Sequence, residues 1–131
     1  MFRLAPSALV ALLCAPLAST VVVASSQHAE LLLLAPAARM EQRCNAKAMG
    51  TIDREHRDMH PDELVAYAFS DPRTNGSTLT APGAAVRSGG KWYHLSYVCE
   101  TAGDGTEVAR FTYSLGTVVP QDEWEGHYLV P

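Results

Sequence analysis

The sequence predicts an α+β domain: N-terminal helices packed on one face of a three-stranded antiparallel β-meander, with a short C-terminal helical turn. Three observations predict it. Ala37, Met40, Cys44, Ala48 and Ile52 recur at steps of three or four, which is one face of a helix. The run KWYHLSYVCE, Lys91 to Glu100, alternates like a strand with one face in a core. Gly89-Gly90 and Gly103-Asp104-Gly105 then bracket that run as hairpin turns would.

The first stretch stands outside this fold. Met1-Phe2-Arg3 is a short positive start, Leu4 to Ala24 carries no charge, and the chain turns polar at Ser25-Ser26-Gln27-His28. Residues 1–24 therefore read as a secretory signal peptide, with cleavage expected after Ala24 and Ser26 as second choice. The run is also long enough for an uncleaved anchor, although Pro6 and Pro16 make it a poor helix. A lipoprotein reading is disfavoured by Leu13, because a small residue is wanted immediately before Cys14. Cleavage removes Arg3 and keeps all 14 acids, so the formal charge of −4 becomes −5. Charges of both signs are scattered and no basic block exists. Nucleic acid is thus not an expected partner, nor is a membrane once the signal is gone. The expected location is the periplasm or outside the cell. The rest of the 131 residues suits one domain, residues 36–131, preceded by a flexible polar segment at residues 25–35.

Loss of the leader takes Cys14 with it and leaves Cys44 and Cys99 as an even pair bound for an oxidising compartment. A disulfide is the expected reading. The two are too far apart for a CxxC redox motif. Zinc would need two more ligands and free thiols, and a catalytic thiol would need a histidine beside it. In the chain-entropy picture, closing a loop of about 55 residues contributes roughly 4 kcal/mol.

Helix one opens at Pro36, which suits a first turn, and Gly50 is its expected stop. A second helix is expected from His60-Pro61-Asp62-Glu63, with Leu64, Val65 and Ala68 as its apolar face and Asp71-Pro72 as its end. Arg73 to Pro82 reads as a loop containing the turn signal Asn75-Gly76. Across Gly89-Gly90, Val86 should face Tyr93, Ala84 should face Leu95, and Arg87 should face Trp92, where a cation–π contact can form. A three-residue turn at Gly103-Asp104-Gly105 would pair Tyr93 with Leu115, Leu95 with Tyr113, Tyr97 with Phe111 and Cys99 with Ala109. These eight residues would form the core face, needing helices as cover. Trp92, His94, Ser96, Val98, Glu100, Arg110, Thr112 and Ser114 would form the other face. Pro120 opens the last helical turn, with Asp122, Glu123 and Trp124, and Tyr128 and Leu129 follow.

The strings EQRCNAKAM, HPDELVAYAF, GAAVRSGGKWYHLSYVC, FTYSLG and PQDEWEGHYL resemble the bacterial domain-of-unknown-function family 930, from about Leu33 to Leu129. The resemblance implies a bacterial, exported or envelope-associated protein and supports pairing of Cys44 with Cys99. It implies no activity. The family pattern has an Asp before the helix-opening proline where this chain has Ala35, the loss of an N-cap worth about 1 kcal/mol.

Among constellations that could carry chemistry, His56 and His60 are spaced four apart, with Asp53 and Glu63 as further ligands for a metal-dependent hydrolase. Pro61 biases His60 away from helix, and Arg54 and Arg57 would repel a cation, so a solvated connector is the favoured reading and no metal or cofactor is expected. No catalytic residue is assigned. Glu100, Asp104 and Glu107 are ordinary turn acids, and no nucleophile elbow is present. The better candidate is the non-core sheet face, where Arg87, Trp92, His94 and Arg110 would form a recognition surface for an unknown protein or small-molecule partner. Its alternative is that the C-terminal segment covers Trp92 through Trp124 or Tyr128. The expected function is an exported, disulfide-stapled binding module. An inhibitor of a secreted or wall-degrading enzyme, using the loop Arg73–Thr80, is the alternative.

Overall fold

The computed structural model describes residues 20–131, with side chains from Ser26 onward. The expected leader, residues 1–24, lies outside the described residues except for the backbone of 20–24. Helix α1 spans Thr20–Leu32 and α2 spans Pro36–Glu55. Five strands follow, β1 Pro61–Val65, β2 Arg73–Asn75, β3 Thr78–Ser88, β4 Lys91–Ala102 and β5 Glu107–Val118, then two 3-10 turns at Gln121–Glu123 and Glu125–His127. The strands form one antiparallel sheet in the order β1-β3-β4-β5. β2 pairs with the other half of β3.

The segment expected to be flexible, residues 25–35, is helical as far as Leu32. Arg39 holds its end. Its guanidinium donates to the carbonyls of Leu31, Leu32 and Leu34 at 3.0, 3.1 and 2.9 Å, and to that of Asp104 at 2.8 Å. A helix end leaves carbonyls without partners, and here one side chain satisfies them. Helix α2 starts at Pro36 without a side-chain cap on Ala35, as the sequence suggests. It does not stop at Gly50 but runs to Glu55, because the buried stripe Met40, Cys44, Ala48 continues to Ile52. Burying an isoleucine is worth about 1.5–3 kcal/mol, more than the roughly 1 kcal/mol that glycine costs inside a helix.

The second predicted helix is a strand. β1 pairs Leu64 with Val86 and Val65 with Ala85. Leu64 packs toward α2, whereas Val65 joins a cluster on the opposite face of the sheet. A short apolar run buried on both sides cannot be told from a helix by periodicity. Pro61 is tolerated because it begins an edge strand. The predicted loop Arg73–Pro82 also resolves into strand: β2 and the start of β3 form a hairpin around Gly76-Ser77, with Asn75 facing Thr78. The sheet thus has five strands, not three. β3 serves both neighbours because Pro82-Gly83 interrupts its ladder between Ala81 and Ala84. There the chain crosses itself: Phe69 N–H donates to Gly83 O at 2.7 Å, and a Cβ on Gly83 would lie 2.5 Å from the Ser70 nitrogen.

The β3–β4 hairpin has the expected register, with Ala84 facing Leu95, Val86 facing Tyr93 and Arg87 facing Trp92. Gly89 and Gly90 both have positive φ, as a two-residue primed turn requires. The β4–β5 hairpin differs. Its turn has four residues, Gly103 to Thr106, since Ala102 faces Glu107. That alone would turn every core residue of β5 to the wrong face. A bulge at Ala109 restores the alternation, so Cys99 faces Phe111, Tyr97 faces Tyr113 and Leu95 faces Leu115. Leu95, Tyr97 and Cys99 thus each face a residue two further along than expected, and a second irregularity between Tyr93 and Leu95 sets Tyr93 opposite Val118 in place of the expected Leu115. Ala109 is exposed and Val108 packs against the core in its place. Cys44 on α2 and Cys99 on β4 form the expected disulfide, with Cα atoms 6.0 Å apart and no exposure of either residue.

Candidate functional site

The second face of the sheet is not the open polar surface expected. Trp92 is fully buried among Val65, Ala68, Ala85, Val119, Trp124 and Leu129. Its indole N–H donates to Val130 O at 2.8 Å, and the backbone of Val119 bonds to Trp92 O at 2.8 Å. Burial of a tryptophan demands a partner for its N–H, and the C-terminal segment supplies it. Arg87 fixes the same segment. Its guanidinium lies 5.6 Å from the Trp92 ring centroid. It grips both carboxylate oxygens of Asp62 at 2.9 and 3.2 Å and Glu63 at 3.0 Å. It also donates to the main-chain oxygen of Pro131 at 2.9 Å. The hydrogen bonds from Arg87 hold the Asp62 carboxyl below the usual carboxylate range.

His94 and Arg110 belong elsewhere. The His94 ring packs at a tilt on Phe69, with centroids 4.4 Å apart, and Phe69 packs likewise on His127 at 4.0 Å. His127 donates from Nδ1 to Ala68 O at 2.9 Å, which closes the Phe69 turn against the final segment. Gly116 leaves room for His94, since a Cβ there would come within 2.9 Å of the His94 Cβ. Arg110 lies opposite Glu100 near the far end of β4, with its side chain 79% exposed and only a loose 3.8 Å approach to Glu100. Eight strand residues separate Trp92 from Glu100, about 26 Å. Of the four predicted surface residues, Arg87 and Trp92 act together as a clasp, His94 lines its flank and Arg110 is remote.

The histidine constellation also divides. His56 Nε2–H donates to the Tyr113 hydroxyl at 3.0 Å, and that hydroxyl donates to Glu55. Partial burial, reinforced by Glu55, pushes the Tyr113 phenol up to about 12. His60 Nδ1 meets Asp53 at 3.0 Å on the surface, and Glu63 goes to Arg87. Among the described residues no three His, Cys, Asp or Glu side chains converge as metal ligands would. Nor does Arg73–Thr80 project as a loop. It is the β2–β3 hairpin, and Thr101 donates from N and Oγ1 to Ser77 O at 2.8 and 3.1 Å.

What the clasp builds on its outer side was not expected. Gln121, Trp124, Glu125, Tyr128 and Val130 line an open groove of about 580 Å³. Trp124 forms its floor and donates its indole N–H inward, to Val119 O at 3.1 Å. Tyr128 has φ 62° and ψ 18° and is the one non-glycine residue with positive φ among the described residues. Left-handed backbone is expected of glycine, and a glycine stands two residues earlier, at Gly126, where a Cβ would meet nothing. Tyr128 is 68% exposed and touches Tyr67, itself 47% exposed, edge-on at 5.6 Å between ring centroids. No local signal marks position 128, because tyrosine is not a residue from which left-handed backbone is read.

Two helices, a five-stranded antiparallel sheet and a buried disulfide between them define a small α+β domain. Residues 31–129 match the family model for the Domain of Unknown Function DUF930, and the chain belongs to that family. No curated protein and no solved structure matches it. Among the described residues no helix is long and apolar enough to cross a membrane.

Proposed function

We propose that the protein is an exported binding module whose ligand seats in the groove of Gln121, Trp124, Glu125 and Tyr128, with Tyr67 extending its rim. One observation carries the groove. Tyr128 ends the last 3-10 turn in left-handed backbone, with Leu129 N–H donating to Trp124 O at 3.0 Å; glycine or asparagine would fill that role at about 1–2 kcal/mol less cost, yet an exposed tyrosine stands there. Strain kept at an exposed aromatic residue is characteristic of ligand clamps. An open, largely apolar cleft with a few polar groups is also the usual form of a small-ligand or peptide site. Export rests on the uncharged run Leu4–Ala24 behind Arg3, and the Cys44–Cys99 bond is consistent with an oxidising destination.

Two measurements test the reading. Cell fractionation followed by denatured mass should find Ser25–Pro131 less two hydrogens outside the cytoplasm; a cytoplasmic full-length chain would end the export proposal. A fragment screen by two-dimensional NMR should shift resonances of residues 121–130 and Tyr67. Shifts gathered instead around His56 and Tyr113 would relocate the site.

A further inference from the structure

Resting on that groove as the binding site, its lining points to one class of ligand. Tyr128, 68% exposed, and the small exposed part of Trp124 are aromatic surface on the groove, and Glu125 adds a carboxylate. Asp122 and Glu123 adjoin them on the preceding turn, both exposed. No lysine or arginine lines the groove. The indole N–H groups of both Trp92 and Trp124 are spent on backbone carbonyls, so neither is offered to a ligand. Arg87, the nearest cation of the clasp, is consumed by Asp62, Glu63 and Pro131 on the inner side. The groove therefore offers acceptors and aromatic surface, and its few donors are the Gln121 amide and tyrosine hydroxyls. An anion finds only those neutral donors and no cation there, whereas a cation finds a carboxylate and aromatic surface.

We propose that the groove takes an arginine-bearing peptide segment, the guanidinium lying on the aromatic surface of Tyr128 and Trp124 and pairing with Glu125. Arginine fits better than a compact ammonium because its planar group stacks on aromatic rings and pairs with a carboxylate at once. Its aliphatic stem suits the apolar walls formed by Leu129 and Val130. The groove is open along the surface, and the Tyr67–Tyr128 pair prolongs it, giving an extended chain several residues of contact.

The test is isothermal titration calorimetry of the disulfide-bonded protein with three capped peptides, Gly-Arg-Gly-Arg-Gly and its counterparts with citrulline or glutamate in place of arginine. The arginine peptide should bind, and the other two should bind at least about five-fold more weakly. Glu125→Gln and Tyr128→Asn should each weaken the arginine peptide to a similar degree, while Glu107→Gln, a remote acid, should not. Arginine-peptide binding that ignores both groove variants would be general attraction to an acidic protein and would overturn the proposal. Equal binding of the citrulline peptide with the same Tyr128 dependence would overturn the cation preference and leave the groove standing. If no peptide binds while fragments still shift residues 121–130, the peptide inference alone falls; if neither occurs, the groove falls too. A doubled sedimenting mass that Tyr128→Asn abolishes would replace the peptide with a second copy of the chain.

Discussion

Tyr128 separates what a residue does for the fold from what it does for a ligand. Asparagine accepts left-handed backbone more readily than tyrosine. Tyr128→Asn is therefore expected to leave the urea midpoint unchanged or raise it; a drop above about 1 kcal/mol would show that its packing on Tyr67 matters more than its backbone strain. Three other residues contribute to the response to pH. Tyr113 is raised to about 12 by partial burial first and Glu55 second. Its neutral phenol contributes stability that is full below the ordinary value of 10 and lost as pH rises through about 12. Ultraviolet titration of Glu55→Gln should show one tyrosine ionising earlier than in the parent. Asp62 and Asp104 lie below the ordinary 3.8, held by Arg87 and by the Thr106 hydroxyl respectively. Their contribution is present above 3.8 and lost as pH falls through their depressed values, so stability should decline as pH drops below 4, with the acid midpoint moving upward in Arg87→Ala.

At the scale of elements, the sequence was most legible where one face is buried and one is wet. The Met40–Ile52 stripe and the alternation of β4 from Leu95 to Cys99 are of that kind, and both elements stand where the pattern puts them. β1 was illegible because Leu64 and Val65 are buried on opposite faces, which erases the alternation. The β5 partners of Leu95, Tyr97 and Cys99 were off by two because a bulge is invisible in the pattern it corrects, and Ala109 is small enough to sit on either face. Among the site residues, the Arg87–Trp92 pairing could be read from hairpin register. The segment that covers it stood in the sequence only as an alternative, Trp124 or Tyr128 over Trp92, and it is Trp124 that packs there; a non-repetitive tail carries no period to decide the choice. The crossing at Gly83 makes a sharp prediction. A methyl there meets Ser70 backbone, which cannot swing aside, so Gly83→Ala should lower stability by about 1–3 kcal/mol in urea denaturation. A change within 0.5 kcal/mol would mean that the Phe69–Ser70 turn yields freely.

Across the whole molecule, the disulfide joins α2 to the central sheet, and both sulfurs lie in the main core. Replacing Cys44 and Cys99 together by alanine is expected to remove about 4 kcal/mol of stability, judged from equilibrium unfolding, and a loss below 1 kcal/mol would show that the packed core holds the reduced chain just as well. The pairing was readable from a count of cysteines, whereas the two-sided core stood only as an alternative, because the second core depends on the tail folding back over Trp92. The bond also gives the chain the outline of a ring with two tails. Everything between Cys44 and Cys99, including the exposed Gly76-Ser77 turn, lies within the ring, at a sequence separation of 55. A protease that cuts at that turn opens the ring without releasing a fragment. Nicked protein should run as a single species on a non-reducing gel and fall into two pieces only after reduction, so a molecule already cleaved by its surroundings would retain both halves and, with them, the groove on its tail.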